Sequence, residues 1–143
     1  MHYEELVETI DILAQEGKGI LAADESLGTI GKRFADINVE NSEENRREYR
    51  LLLATAPDIE SYINGVILFE ETLDHKDKKG QTIPQILTKK GILPGIKVDK
   101  GLIPLVNSAN EKITQGLDGL PDRLKQFKEK GARFAKWRNV YAI

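Results

Sequence analysis

Gly19-Ile-Leu-Ala-Ala-Asp24 is an apolar run that ends in a carboxylate, and it shows the pattern that decides the fold. Two later segments repeat this pattern with lysines, Gly95-Ile-Lys-Val-Asp-Lys-Gly101 and Phe134-Ala-Lys-Trp-Arg138. A lone charge among apolar residues is costly to bury unless it has a partner. We therefore expect the three charged segments to converge on one polar site held by packed β-strands.

Strands and helices are predicted to alternate along the chain. The helices are expected at residues 3–16, 29–36, 42–54, 83–90 and 121–131. Near-continuous apolar runs predict strands at residues 18–24, 64–69, 93–98 and 133–140. This alternation indicates an α/β fold in which parallel strands are joined by crossover helices. Four such strands fit either an open sheet or half of a (β/α)8 barrel.

The composition limits the class of protein. With 143 residues, a net charge of -2 and 31% charged residues, the chain fits one soluble domain (1–143) with no internal linker. This balance gives no reason to expect nucleic acid or a membrane as partner. No apolar run approaches the roughly 20 residues of a membrane span, and the acidic start is unlike a signal peptide. A cytoplasmic location is expected.

Cysteine and histidine, which bind zinc in most structural and catalytic sites, are scarce. The chain has no cysteine and two histidines, His2 and His75, far apart in sequence. A histidine-based metal site or a Ser/His/Asp triad is therefore not expected. The polar run 74–79 around His75 is predicted to be an exposed loop.

Charged residues at strand ends are the candidates for chemistry. Because side chains alternate along a strand, Asp24, Lys97 and Lys136 can all point into the interior of a curled sheet, near the carboxyl ends of its strands. Barrel enzymes place their sites at this end. Lysines beside a carboxylate suit amine chemistry or proton transfer. An interior ion-pair network would give the same pattern, so the residues alone leave both interpretations open.

Small and hydroxyl residues follow the first strand. Ser26, Gly28 and Thr29 lie near the start of a helix, where backbone N–H groups can hold a phosphate, although such residues also cap ordinary helices. Arg33 adds positive charge nearby. Arg46 lies on the 42–54 helix, where a solvated face is an equally simple explanation.

The segments together resemble class I fructose-bisphosphate aldolases, the Schiff-base type, from about Gly17 to the last residue. The motifs that carry the resemblance are Gly17-Lys-Gly-Ile-Leu-Ala-Ala-Asp-Glu-Ser26, Glu43-Glu-Asn-Arg-Arg47, Gly65-Val-Ile-Leu-Phe69, Gly95-Ile-Lys-Val-Asp-Lys-Gly101, Thr114-Gln-Gly-Leu-Asp-Gly-Leu120 and Phe134-Ala-Lys-Trp-Arg138. The resemblance implies the N-terminal half of a (β/α)8 TIM barrel. It also implies reversible cleavage of fructose 1,6-bisphosphate to dihydroxyacetone phosphate and glyceraldehyde 3-phosphate, in glycolysis and gluconeogenesis.

The family's motifs assign roles to individual residues. By resemblance, Asp24 helps with the hydroxyl proton and the Schiff-base intermediate. Lys97 and Lys136 match two active-site lysines that do not form the Schiff base, and Lys136 assists charge handling around the carbinolamine and carbon–carbon cleavage. Positions matching those that bind substrate or phosphate are Ser26, Thr29, Arg33, Arg46 and Lys97. No metal or cofactor is implied, and family members are commonly homotetramers.

The chain also departs from the family pattern. Leu27 stands where the family usually has threonine, and Thr29 stands where many members have serine. A complete barrel needs roughly 250 residues, and the Schiff-base lysine of the family has no matching position here. We therefore expect the isolated chain to be inactive. The alternatives are a truncated product that binds ligands or proteins without catalysis, and a different barrel enzyme in which Lys136 forms the Schiff base.

Overall fold

The computed structural model describes residues 3–143, so His2 lies outside the described part of the chain. Within this range the α-helices are α1 (Tyr3–Leu13), α2 (Leu27–Asp36), α3 (Glu43–Ala54), α4 (Ile83–Lys89) and α5 (Leu120–Glu129). The strands are β1 (Gly19–Ala23), β2 (Ile63–Leu68), β3 (Leu93–Lys97), β4 (Leu102–Pro104), β5 (Lys112–Thr114) and β6 (Phe134–Lys136). Short 3₁₀ turns lie at Ile59–Ser61 and Glu70–Leu73.

The main sheet has the strand order β1-β2-β3-β6, and all of its neighbouring strands are parallel. Helices connect successive strands of this sheet, so the predicted parallel α/β fold is confirmed. The predicted strand at 133–140 is shorter than expected, because β6 ends at Lys136. The first helix likewise ends at Leu13 rather than near residue 16.

Strands β2 and β3 are buried or half-buried on both faces, whereas β1 has one face that is largely exposed. Side chains such as Ala23, Leu68 and Ile96 are each 1% exposed and pack into a core beneath the helices. On the opposite face of β1, Ile20 is 46% exposed and Ala22 is also exposed. Side chains therefore alternate along β1 as expected for a strand, and Asp24 follows on the face of Ile20 and Ala22.

Local signals explain the helix ends and the docking of α1. Thr82 and Gln85 form a reciprocal capping box at the start of α4. The amide of Asn64, a fully buried residue of β2, donates to the carbonyl oxygens of Ile12 and Leu13 at 2.6 and 3.3 Å. These bonds satisfy carbonyls at the C-terminus of α1 and attach that helix to the sheet.

Two features differ from the sequence-based expectation. The stretch between β3 and α5 contains an antiparallel hairpin of β4 and β5, which the sequence did not indicate. The polar run 74–79 is not wholly exposed, because His75 is only 5% exposed. Its backbone carbonyl accepts from Ile83 N–H, and a bridge between Lys76 and Thr82 closes the loop over it.

Candidate active site

A lysine and an aspartate from different strands meet at the carboxyl ends of the sheet. Asp24 directly follows β1, and Lys136 is the last residue of β6. The Lys136 Nζ donates to Asp24 Oδ2 at 2.6 Å. The Asp24 side chain is 10% exposed and that of Lys136 is 32% exposed, so the pair faces an opening rather than the core.

Lys97 lies beside Lys136 but has a partner of its own. The two lysines are paired in the register of β3 and β6. Lys97 Nζ donates to Asp99 Oδ1 at 2.6 Å and to the Asp99 carbonyl at 2.9 Å. Lys97 therefore reaches the same end of the sheet as Asp24 and Lys136, while its ammonium bonds to the turn that follows its own strand.

Asp99 was not among the predicted site residues, although it lies inside the quoted 95–101 motif. It is 5% exposed, and its Oδ1 also accepts from Gly101 N–H at 3.2 Å. Burial alone would raise the pKa of the Asp99 carboxyl, but the hydrogen bond and positive charge of Lys97 outweigh it and lower that pKa. The aspartate is therefore held as an anion beside the lysine.

A cleft of about 450 Å³ lies at this end of the sheet. Ser26, Lys97 and Asp99 line it, together with Lys100 and Arg138. Three cationic side chains and two carboxylates, Asp99 and Glu70, line the cleft, and the excess of positive charge suits an anionic ligand such as a phosphate. Lys100 and Arg138 were missed as site residues, even though both lie in motifs singled out from the sequence. Lys100 lies in the turn after β3, and Arg138 lies beyond the end of β6 at Lys136.

The hydroxyl residues after β1 are close to each other. Ser26 is the N-cap of α2, but its side chain makes no capping bond. Its Oγ lies 3.1 Å from Oγ1 of Thr29, one helical turn further on. Ser26 reaches the cleft, whereas Thr29 is exposed beside it.

The two predicted arginines are held by carboxylates. Arg33 forms an ion pair with Glu25, and its side chain is 59% exposed. Arg46 makes a two-pronged pair with Glu71, at 2.7 and 2.9 Å, and its side chain is 12% exposed. The structure does not bring either guanidinium to the cleft formed around Lys97 and Asp99.

Glu25 is the centre of a buried polar network that sequence reasoning did not identify. Its carboxylate pairs with Arg50, which is 3% exposed, and accepts from the Tyr49 hydroxyl at 3.2 Å. Arg50 also donates to the Glu25 carbonyl at 2.9 Å. Because Glu25 lies between Asp24 and Ser26, this network fixes the backbone that carries both residues.

The β4–β5 hairpin adjoins the cleft. The Lys100 N–H donates to the Gln115 carbonyl at 2.8 Å, and Thr114 Oγ1 donates to the Arg138 carbonyl at 2.7 Å. Lys100 Nζ lies 2.8 Å from Glu70 Oε2, which links the hairpin base to the loop after β2. The hairpin therefore connects the ends of β2, β3 and β6.

The described residues give no indication of a metal centre or a membrane span. Among residues 3–143, no cluster of three or more His, Cys, Asp or Glu side chains is arranged to hold a metal ion. None of the helices in this range has the length and apolarity needed to cross a bilayer. The chemistry that the cleft offers is that of paired ammonium and carboxylate groups.

Comparisons with a family model and with related sequences identify the same protein family. The family model "Fructose-bisphosphate aldolase class-I" matches residues 5–143. The chain is 52% identical over its whole length to a probable fructose-bisphosphate aldolase class 1 of Xylella fastidiosa and covers 43% of that protein. It is 56% identical over 98% of its length to a chloroplastic fructose-bisphosphate aldolase of Oryza sativa, covering 36% of it.

A solved structure agrees with these sequences. The fructose-bisphosphate aldolase of Plasmodium falciparum, crystallised with TRAP and a small-molecule inhibitor, matches with a TM-score of 0.94 and 53% identity. The match covers 98% of this chain and 40% of that protein. The chain therefore spans about two fifths of the length of the relatives it matches.

Proposed function

This chain belongs to the class I fructose-bisphosphate aldolase family, and we propose that it supplies the N-terminal half of an enzyme that reversibly cleaves fructose 1,6-bisphosphate. The products are dihydroxyacetone phosphate and glyceraldehyde 3-phosphate. The observation that carries the proposal is the contact of Lys136 with Asp24 at 2.6 Å, beside Lys97 at the carboxyl ends of parallel strands. Residues 1–143 form one partial domain of this enzyme.

The Lys136–Asp24 pair handles protons and charge. A carboxylate in contact with an ammonium can take a proton from a substrate hydroxyl while the neighbouring positive charge stabilises the oxygen atoms that change charge. Asp24 takes and returns the hydroxyl proton during carbon–carbon cleavage. Lys136 stabilises charge around the carbinolamine and during bond cleavage.

The cleft beside this pair holds the 6-phosphate end of the substrate. An ammonium has three N–H donors, so Lys97 can keep Asp99 as a partner and still donate to a phosphate oxygen. Ser26 and Thr29 contribute hydroxyl groups to the same phosphate site. Lys97 is therefore a phosphate ligand and a neighbour of the reacting carbons.

Arg33 and Arg46 are the remaining proposed substrate contacts. Each guanidinium has five N–H donors, so an ion pair leaves donors for a phosphate. Arg33 is the more exposed of the two and can turn towards solvent, whereas Arg46 also donates to the Asn41 carbonyl at 3.0 Å. We assign Arg33 the larger contribution to substrate affinity.

The Schiff base is formed by a lysine outside residues 1–143, because the resemblance gives that lysine no matching position in this chain. The polypeptide of residues 1–143 alone is accordingly inactive as an aldolase. The complete enzyme needs no metal or cofactor, acts in the cytoplasm and assembles as a homotetramer. Cytosolic relatives such as the Cicer arietinum cytoplasmic isozyme support the location, although chloroplastic relatives match as well.

Borohydride trapping tests the proposal. The natural protein carrying this sequence is incubated with dihydroxyacetone phosphate, reduced with borohydride and mapped by mass spectrometry. We expect a stoichiometric adduct on a lysine outside residues 1–143, together with cleavage of fructose 1,6-bisphosphate. An adduct on Lys136 would replace the proposal with a different Schiff-base enzyme. Absence of both adduct and cleavage would favour a non-catalytic binding protein.

A further inference from the structure

Lys97 ends β3 and Asp99 lies in the turn that follows, and the backbone between them is fixed from two sides. Between them, Val98 donates its N–H to the Lys136 carbonyl at 3.1 Å. The Val98 carbonyl accepts from Nη1 of Arg123, a residue of α5, at 3.0 Å. Val98 is 3% exposed, so its carbonyl depends on a protein donor.

The same guanidinium also holds the segment opposite the turn. Arg123 Nη2 donates to the carbonyl of Gly116. Gly116 has a φ of +122°, and a Cβ built on it would lie 2.9 Å from the Lys100 nitrogen, so only glycine brings the two segments this close. One planar guanidinium therefore clamps the two backbone segments together, which the single ammonium of a lysine cannot do with the same geometry.

From this geometry we infer that Arg123 is a positioning residue for the proposed active site. It lies on the crossover helix, and it acts through the Val98 peptide, which is bonded to Lys136 and flanked by Lys97 and Asp99. Without the clamp, the turn can move relative to the ends of β3 and β6. A misplacement of about 1 Å in an active site can reduce the rate by about 100-fold. The inference rests on the proposed function for its kinetic readout only.

The experiment compares Arg123→Gln and Arg123→Lys with Lys125→Gln in the natural protein. Lys125 is an exposed residue of the same helix and provides the matched control. For Arg123→Gln we expect kcat/KM for fructose 1,6-bisphosphate to fall by about 10- to 100-fold. For Arg123→Lys we expect kcat/KM to fall by at least about 5-fold, because lysine keeps the positive charge but cannot donate to both carbonyls with the geometry of the guanidinium. Lys125→Gln should stay within about 2-fold of wild type, as expected for an exposed surface substitution.

A second comparison separates positioning from general loosening of the fold. When Lys97 is already replaced by methionine, adding Arg123→Gln should lower kcat/KM by less than a further factor of about 3. The two effects should not add, because both residues act through the same structural unit. An equal loss in both backgrounds would overturn the inference, as would full activity of Arg123→Lys. If Arg123→Gln fails to fold, Arg123→Lys decides by the same double-variant comparison.

Hydrogen exchange keeps this inference distinct from the proposed function. Amides of residues 98–101 should exchange faster in Arg123→Gln than in wild type or Lys125→Gln, while amides of β1 and β2 keep their rates. If the wild-type protein is inactive but shows this exchange pattern, the proposed function is refuted, while the role of Arg123 in holding the two backbone segments together is supported. If Arg123→Gln leaves the exchange rates of residues 98–101 unchanged, the positioning role of Arg123 is refuted, whatever the activity of the variant.

Discussion

Lys136 Nζ lies 2.6 Å from Asp24 Oδ2, although the two residues come from the opposite edges of the four-stranded sheet. In a flat sheet, strands about 4.8 Å apart would place these edges about 14 Å from each other. Two side chains cannot bridge that distance, so the sheet must curl strongly towards the face that carries them. The contact is therefore both a candidate catalytic pair and a measure of the curvature that barrel closure requires.

The first prediction concerns this pair. Lys136→Met in the natural enzyme should lower kcat for fructose 1,6-bisphosphate cleavage by about 10²- to 10⁴-fold, because it removes the group that stabilises charge beside Asp24. Steady-state cleavage assays measure the effect. The control is Lys130→Met, which removes an exposed ion pair with Asp74 on the outer surface. It should keep wild-type kcat, and a similar loss in both variants would argue against a special role for Lys136.

The sequence predicts the strand positions of this site better than its side-chain pairings. Alternation along β1 correctly places Asp24 on the face opposite Ala23, because the two-residue period of a strand is fixed by backbone geometry. The pairing of Lys97 with Asp99 could not be predicted, since its side-chain conformation is decided by local contacts rather than by strand period. The role of Glu25 was missed because its partner Arg50 is 25 residues away in sequence.

Other parts of the fold lack a sequence signal altogether. Strands β4 and β5 have three residues each, too few to show alternation, and their pairing depends on the ends of neighbouring strands. His75 lies in a polar run that reads as an exposed loop, yet the loop folds over it. Composition describes a segment as a whole, whereas burial is decided residue by residue.

The second prediction concerns the buried Glu25 network. Glu25→Gln should lower the free energy of unfolding by about 3–5 kcal/mol at pH 7, because Arg50 would be left buried without its counter-charge. Chemical denaturation of the natural protein measures this. The control is Glu44→Gln, which removes a carboxylate paired with Arg47 and 65% exposed, and it should change stability by less than about 1 kcal/mol.

The pH dependence provides a check on the same network. Burial alone would raise the pKa of the Glu25 carboxyl, but its backbone hydrogen bond and the Arg50 charge lower it below its ordinary value of 4.5. Its contribution is therefore complete above pH 4.5 and is lost as the pH falls through the lower folded pKa. The stability difference between wild type and Glu25→Gln should shrink below about pH 4.5. A constant difference would contradict the ion-pair explanation.

The third prediction concerns His75. Burial lowers the pKa of this histidine, and the nearby carboxylates Glu71 and Glu43 only partly oppose the effect, with Arg46 and Arg47 adding to it. Below pH 6.5 the unfolded chain takes up a proton that the folded protein resists. The stabilisation present at higher pH is therefore lost as the pH falls from about 6.5 towards the folded pKa.

His75→Leu should remove this loss. Both ring nitrogens of His75 are buried without a protein hydrogen-bond partner among the described residues, so leucine gives up no such bond. We expect the variant to be more stable than wild type at pH 5, by up to about 1.4 kcal/mol for each unit of pKa shift. Denaturation curves at pH 5 and pH 8 measure it. A wild-type advantage that is equal at both pH values would show that the histidine contributes by packing instead.

The fourth prediction concerns Gly95, which is covered by the aromatic ring of Phe134 on the adjacent strand. A methyl group on Gly95 would overlap the ring carbons, so Gly95→Ala should destabilise the natural protein by about 1–3 kcal/mol. It should also lower activity, because Phe134 precedes Lys136 by two residues on the same face of β6. The double variant Gly95→Ala with Phe134→Leu should recover part of both losses, since the smaller side chain makes room for the methyl group.

Gly28 provides the matched control, because it lies in the first turn of α2 and a Cβ built on it would meet no atom of residues 3–143 within 4 Å, apart from its chain neighbours and the helix's own backbone. Gly28→Ala should be neutral or stabilising by up to about 1 kcal/mol. Thermal melts and cleavage assays of the three variants separate the possibilities. If Gly95→Ala lost stability but kept full activity, β6 would tolerate displacement of Phe134 without moving Lys136, and the position of the Lys136–Asp24 pair would depend on β1 rather than on the packing between β3 and β6.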